Sequence, residues 1–187
     1  MSKNATDNIH AWTRKWRIKI NKVKSIRVNF TNRKENYHPV ELNNNTIPCK
    51  ETAKYLGLNL DAKLKWKVHV KKKTEESKLK YKNMYWLLRR NSQLSIRNKV
   101  LVYKQVLKPV WTYGLQLWGC TKESNYACLQ RFQNRVLRNI VNAPWYVRNE
   151  DLHRELEMKT VKERSRRLPR VMRRSSINIR MLRYFNF

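Results

Sequence analysis

The chain has 187 residues, room for one domain or two small ones, and 41% of them are apolar, enough for a core. Lys and Arg number 43 against 13 Asp and Glu, a formal net charge of +30; a compact protein with this charge repels itself unless a polyanion relieves it. Seven Trp and nine Tyr interleave with the basic residues, which suits nucleic acid better than a membrane surface, and no apolar run approaches the length of a membrane span or of a signal peptide.

Residues 7–19 predict a short helix with Trp12 and Trp16 on one face, stopped at Asn21. Ile26, Val28 and Phe30 alternate with Arg27 and Asn29, the pattern of a half-buried strand. The polar stretch 32–46, with Pro39 and Asn43 to Asn45, predicts a loop or a hairpin around Val40 and Leu42. Ile47 and then Tyr55 to Leu60 give the next strands. In the second of them the two-residue period puts Leu56, Leu58 and Leu60 on one face, and Gly57 admits the close approach of another backbone.

From Trp66 the period changes to about 3.5. Trp66, Val70, Ser77, Tyr81, Met84 and Leu88 form one stripe, which predicts a long helix to about Arg90. Glu75 and Glu76 among the flanking lysines support it by charge pairing. Ser95 is placed to cap a second helix through Leu107, and Pro109 suits the first turn of a third that ends near Trp118 and Gly119. Thr121 opens a fourth, with Glu123 in its first turn, running to about Val141; Pro144 ends it. On that helix Leu129, Phe132, Val136 and Ile140 fall on one side, and Arg131, Arg135 and Arg138 on the other. The arginine row reads either as a solvated face or as a set of forks turned to a phosphate backbone.

Asn149, Glu150 and Asp151 start a short helix holding Leu152 and Leu156, and Thr160 with Glu163 forms a capping box. Lys162, Arg164, Arg166, Arg167, Arg170, Arg173 and Arg174 then crowd around Pro169, the composition of a disordered basic arm that binds nucleic acid or directs nuclear import.

An active site does not emerge from these residues. The chain has three aspartates, Asp7, Asp61 and Asp151, and no Asp-Asp pair. Glu75-Glu76 and Glu150-Asp151 are accounted for by charge pairing and by a helix start. Cys49, Cys120 and Cys128, with His10, His38, His69 and His153, show no zinc spacing, and the odd cysteine count fits reduced thiols inside a cell. No His is placed beside a Ser or Cys nucleophile. The three glycines, Gly57, Gly114 and Gly119, make no phosphate-cradling loop. We therefore expect no catalytic residue, no metal and no cofactor in this chain.

Residues 54–61, Lys-Tyr-Leu-Gly-Leu-Asn-Leu-Asp, followed by Leu64, Trp66 and His69, resemble the primer-grip segment of non-LTR retrotransposon reverse transcriptases of the jockey-like branch. In that family the motif lies where palm gives way to thumb. Trp12 to Phe30 is similar to the family's motif D, a helix ending in Trp-x-Ile-x-(Ile/Leu)-Asn-x-x-Lys-(Ser/Thr) and then a strand. Tyr103 to Gly119, and Leu129 to Trp145 with its closing Asn-Ala-Pro-Trp, resemble the thumb and post-thumb region. The resemblance covers roughly residues 8–160, in the family's order.

The resemblance implies an α+β protein: a small antiparallel remnant of a polymerase palm over 1–61, a mostly helical thumb-like block over 62–160 and a basic tail over 161–187. It implies that Lys24 is the motif D lysine, near an incoming nucleotide's phosphates, and that Tyr55, Leu56 and Gly57 are the turn that holds a primer's 3′ end. The family's metal-binding aspartates lie upstream of these motifs, so Mg²⁺ is expected only for an intact polymerase. The chain then reads as the C-terminal part of an RNA-directed DNA polymerase, gripping an RNA–DNA hybrid or RNA with little sequence specificity. Its further partner would be the missing palm and fingers, and its place the nucleus or a cytoplasmic ribonucleoprotein. The alternatives are a domesticated, non-catalytic nucleic-acid-binding protein and a degenerate remnant of an element.

Overall fold

A computed structural model describes residues 2–21, 24–31, 39–42 and 45–166. The chain divides into two compact units with the boundary between Leu64 and Lys65.

The first unit opens with helix α1, Ser2–Lys15. The helix ends earlier than Asn21. Arg17 turns left-handed, at φ 54°, while Ile18 N–H donates to the Thr13 carbonyl at 2.9 Å and Arg17 N–H to that of Arg14 at 3.3 Å. This is a Schellman stop made without glycine. The strand expected over 26–30 does not form. Arg27 makes one isolated parallel bridge with Cys49, through Arg27 N–H to Pro48 O and Lys50 N–H to Arg27 O. Alternation alone does not supply a partner edge for a ladder. The hairpin around Val40 does form, as β1, Glu41–Leu42, paired antiparallel with β2, Asn45–Thr46, and closed by Ile47 N–H on the Val40 carbonyl at 2.8 Å.

Strands β3, Thr52–Tyr55, and β4, Leu58–Asp61, make a second antiparallel hairpin in the register Tyr55 with Leu58 and Thr52 with Asp61. Its two-residue loop is Leu56-Gly57, and both residues have positive φ, 45° and 76°. A type I′ turn requires that, and its backbone twist matches the strands it joins. Leu56 therefore does not share a strand face with Leu58 and Leu60. It stands at the tip and is 70% exposed, while Leu58 is buried. Gly57 serves the turn rather than the approach of a neighbouring backbone.

The second unit is helical. Trp66, itself left-handed at φ 61°, precedes α2, Lys67–Asn83. The buried face of α2 is His69, Val70, Thr74 and Ser77. The Thr74 and Ser77 hydroxyls donate back to the Val70 and Lys73 carbonyls at 2.8 and 2.7 Å, so the small polar side chains that line the contact have their hydroxyls satisfied. The long helix expected to Arg90 breaks at Met84, which leaves the helical region, and resumes as α3, Tyr85–Leu88. Ser95 caps α4, Ile96–Val102, accepting from Asn98 N–H at 3.3 Å. One π-helical turn, Tyr103–Leu107, connects α4 to α5, Lys108–Thr112, with Pro109 in its first turn. Gly114, at φ 67°, then bends the chain into α6, Leu115–Trp118, so the expected third helix is two short ones.

Helix α7, Glu123–Val141, packs against α2 and carries more of the core than any other helix. The predicted stripe of Leu129, Phe132, Val136 and Ile140 is buried, with Tyr126, Gln133 and Leu137 beside it. Thr121 does not open the helix but ties its approach: the Thr121 hydroxyl and the Asn125 amide both donate to the Lys65 carbonyl, at 2.8 and 3.1 Å. Asn142 ends α7 in the left-handed region. Helix α8, Asn149–Glu155, stops at Glu157, another left-handed residue, with Met158 N–H on the His153 carbonyl at 2.8 Å. The capping box is made in both directions, Thr160 N–H to Glu163 Oε2 at 3.0 Å and Glu163 N–H to Thr160 Oγ1 at 3.1 Å, and starts α9, Val161–Arg166.

Trp66, His69 and Trp118 meet in the core, with the His69 ring centroid 5.9 and 6.3 Å from those of the two indoles. The Leu-x-Trp-x-x-His spacing is thus a packing device: Trp66 and His69, three apart, turn inward together. Tyr103, Trp111 and Leu107 are fully buried in the same unit. Lys99 is buried too, and its ammonium donates to the carbonyls of Arg89 and Arg90 at 2.9 and 3.4 Å, just past the C-terminus of α3. Within the described residues no helix is long and apolar enough to cross a membrane.

Candidate nucleic-acid interface

The basic residues are laid out by helix phase. On α2, Lys67, Lys71, Lys78 and Lys82 are all exposed. At 100° per residue they fall within about 60° of one another, a strip roughly 22 Å long at 1.5 Å per residue. Sequence reasoning counts Lys71 and Lys78 only as partners for Glu75 and Glu76, and does not single out Lys67 or Lys82. The signal that finds them is the helix phase set by the buried His69, Val70, Thr74 and Ser77. Lys73 is on another face, paired with Glu76 at 2.7 Å and 5.6 Å from the Tyr113 ring centroid.

The arginine row of α7 divides. Arg131 and Arg135 are exposed. Arg138 is half-buried and turned to the α7–α8 connection: it donates to Asn149 Oδ1 at 3.1 Å, to the Pro144 carbonyl at 3.0 Å and to the Val147 carbonyl. Its fork holds that connection rather than reaching outward.

Composition places Lys162, Arg164 and Arg166 in a disordered arm. They lie on α9 instead, and Lys162 is ion-paired with Glu123 at 3.0 Å. The Thr160–Glu163 box and the buried Val161 anchor that helix against α7 in spite of its charge. Arg167, Arg170, Arg173 and Arg174 lie outside the described residues. Arg164 contributes to a further grouping. The Lys108 ammonium is held below its ordinary range, first by burial and then by the nearby charges of Arg164, Lys104 and Lys159. Stretches of sequence far apart bring these four cations together, so no local pattern reveals them. Burial and the neighbouring Lys73 hold His69 down at about 4, which leaves it neutral in the core at physiological pH.

In the first unit, Lys24 is exposed, its N–H on Asn21 Oδ1 at 3.2 Å, with the Ser25 hydroxyl on the Asn21 carbonyl at 2.9 Å. Tyr55, Leu56 and Gly57 are the end of β3 and the tip of the second hairpin, with Tyr55 47% and Leu56 70% exposed. There is no Asp-Asp pair in the sequence, and among the described residues no three His, Cys, Asp or Glu side chains converge.

The chain is 41% identical over 150 residues, 80% of its length, to the "Probable RNA-directed DNA polymerase from transposon X-element" of Drosophila melanogaster. It is 37% identical over 179 residues, 92% of its length, to the "Probable RNA-directed DNA polymerase from transposon BS" of the same organism. To the "RNA-directed DNA polymerase from mobile element jockey", also of Drosophila melanogaster, it is 35% identical over 152 residues, 81% of its length. The aligned part is 16%, 20% and 17% of these relatives, so the chain spans between a sixth and a fifth of their length. No family model and no solved structure matches it.

Proposed function

The chain belongs, as a segment, to the RNA-directed DNA polymerases of non-LTR mobile elements, and from this we propose that it supplies the primer-holding turn and a thumb-like grip on the template–primer duplex. The observation that carries the reading is the strip Lys67, Lys71, Lys78 and Lys82 together with Arg131 and Arg135, fixed on two helices that share one core. Cations fixed on a rigid unit track a backbone of regular spacing, whereas cations on a flexible chain bind any polyanion. A strip of about 22 Å spans the greater part of one duplex turn, roughly two-thirds even of the longer 34 Å turn of B-form DNA. The shallow minor groove of an A-like hybrid suits recognition by shape, and the grip is accordingly indifferent to sequence.

In this reading Leu56 and Gly57 present the hairpin tip to the primer's 3′ end, and Lys24 lies toward the phosphates of an incoming nucleotide. Among the described residues no cluster of metal ligands forms, and this reading assigns the catalytic carboxylates and Mg²⁺ to the rest of the polymerase, as its protein partner. The test is anisotropy binding of the intact chain to a blunt RNA–DNA hybrid, with heparin as the competing polyanion. Replacing Arg131 and Arg135 by Gln should weaken hybrid binding about tenfold, at roughly 1.5 kcal/mol for two charge-assisted contacts, and heparin binding less. Equal losses on both would reduce these arginines to a solvated face.

A further inference from the structure

Between α7 and α8 the chain makes a β-turn that holds two large aromatic rings out in solvent. Val147 N–H donates to the Pro144 carbonyl at 3.2 Å, so Trp145 and Tyr146 occupy the two central positions. Trp145 is 90% exposed and Tyr146 70%. This turn is braced from inside. The Arg138 guanidinium donates to the carbonyls on either side of the two aromatics, Pro144 and Val147, and to Asn149 Oδ1 at the start of α8. Ala143 N–H returns to the Arg138 carbonyl at 3.0 Å, just past the left-handed Asn142. The rings meet edge to face, 6.0 Å between centroids at 81°. Edge-to-face packing leaves a flat ring face open, and the bracing keeps the pair from folding back onto the core.

The space beside the rings is an open cleft of about 440 Å³, lined by the two rings with Arg138, Arg148, Asn149 and Glu150. Its size is at the small-ligand end of binding sites, near that of one nucleotide. Trp, Tyr and Arg also make protein-docking surfaces, and the chain's formal net charge of +30 is what favours a polyanionic occupant here. Here two flat rings stand among an exposed arginine, an amide and a carboxylate. That composition offers a stacking plane, a phosphate partner in Arg148, and hydrogen-bonding groups for a base edge in Asn149 and Glu150.

We propose that the Trp145–Tyr146 turn is a stacking platform for an unpaired nucleotide of single-stranded nucleic acid, a role that rests on the proposed handling of nucleic acid by this chain. Stacking of a base on an aromatic side chain is worth about 1–3 kcal/mol and is indifferent to sequence. The platform takes hold of a strand where it is not paired, and so complements a grip on duplex.

The experiment compares the intact chain and its variants on a single strand of about 20 uridines and on a blunt hybrid duplex, at several salt concentrations. Trp145→Ala should lose about tenfold or more on the single strand, the lower-middle part of that stacking range, and less than about twofold on the duplex. The salt slope should not change, because stacking releases no counterions. Trp145→Phe should stay within about threefold of the parent chain, and Trp145→Leu should lose as much as Ala. An unchanged thermal melt checks that the exposed position leaves the fold intact. The proposal is overturned by no loss in Trp145→Ala, by equal losses on strand and duplex, or by Leu serving as well as Phe, the last pointing to an apolar protein contact. The Arg131 and Arg135 double variant separates this from the duplex grip. If that variant holds the blunt duplex unchanged while Trp145→Ala still loses the single strand, the grip is wrong and the platform stands; the reverse pattern removes the platform alone.

Discussion

The two units are built on opposite terms. From Lys65 to Arg166 the chain buries four aromatic side chains, Trp66, Tyr103, Trp111 and Trp118, to within 2% of complete, and packs α2 on α7 through small and aliphatic side chains. In the first 64 residues only Thr13, Leu58 and Asn59 of the described side chains are buried, while Trp12, Trp16 and Leu56 are 55%, 60% and 70% exposed. Aromatics are present in both. What differs is whether the chain supplies a second surface for them. Helices carry their own partners a few turns away; two-stranded hairpins bury one face only if something else covers it. Among the described residues, the first unit is therefore the one with the more uncovered apolar surface.

The largest effect should come from separating the units. A polypeptide of residues 65–166 is expected to melt cooperatively, and one of residues 1–64 to show no sharp transition and to aggregate through its apolar surface. Dispersed amide signals and a sharp melt from the shorter piece alone would break the comparison. Core truncation sharpens it. Trp118→Ala should cost about 3–5 kcal/mol by chemical denaturation of the intact chain, against less than about 0.5 kcal/mol for Trp16→Ala.

His69 gives an effect of intermediate size that depends on pH. Its folded-state value near 4 lies below the ordinary 6.5, so above about 6.5 both states are neutral and stability is complete. As pH falls from 6.5 toward 4, the unfolded chain takes up a proton that the native chain refuses, and stability is lost. Between pH 7 and pH 5 the loss from this group should be about 2 kcal/mol, at 1.36 kcal/mol per unit. His69→Leu should flatten denaturant midpoints across that window relative to the parent; parallel curves would contradict the assignment.

The smallest effect is at the second hairpin. Leu56 holds a left-handed backbone that Asn adopts more readily, so Leu56→Asn should stabilise the hairpin by about 1 kcal/mol or less. Slower amide exchange at Leu58 and Leu60, whose N–H groups face the partner strand in the hydrogen-bonded pairs with Tyr55 and Ala53, is the readout, and faster exchange would mean that the turn is not type I′.

Where the sequence was legible, one residue type had one physical use. The stripe Leu129, Phe132, Val136 and Ile140 could only be a core face, and Ser95 and the Thr160–Glu163 box could only be caps. Illegible places had a residue doing what another type usually does. Leu56 takes a conformation expected of Asn or Gly, and Arg17 and Glu157 stop helices in place of glycine, in a chain with only three glycines. Met84 breaks a helix that its own periodicity continues. The alternating 26–30 stretch found one bridge instead of a ladder, because pairing depends on a partner the period does not specify. For the candidate interface, helix phase revealed that Arg131 and Arg135 face away from the core. It did not reveal that the loop beyond Asn142 folds back over Arg138, nor that Lys104, Lys108, Lys159 and Arg164 meet.

If cations fixed on the helical unit grip a duplex, the salt dependence of hybrid binding reports it most directly. Neutralising roughly six phosphates gives a slope near −5 in log affinity against log salt, at about −0.9 per phosphate. Replacing Lys67, Lys71, Lys78 and Lys82 together by Gln should bring that slope on a blunt RNA–DNA hybrid to about −2, with a smaller change on heparin. A slope on the hybrid that stays near −5 would mean that the strip touches no backbone and that the helical unit does not grip the duplex.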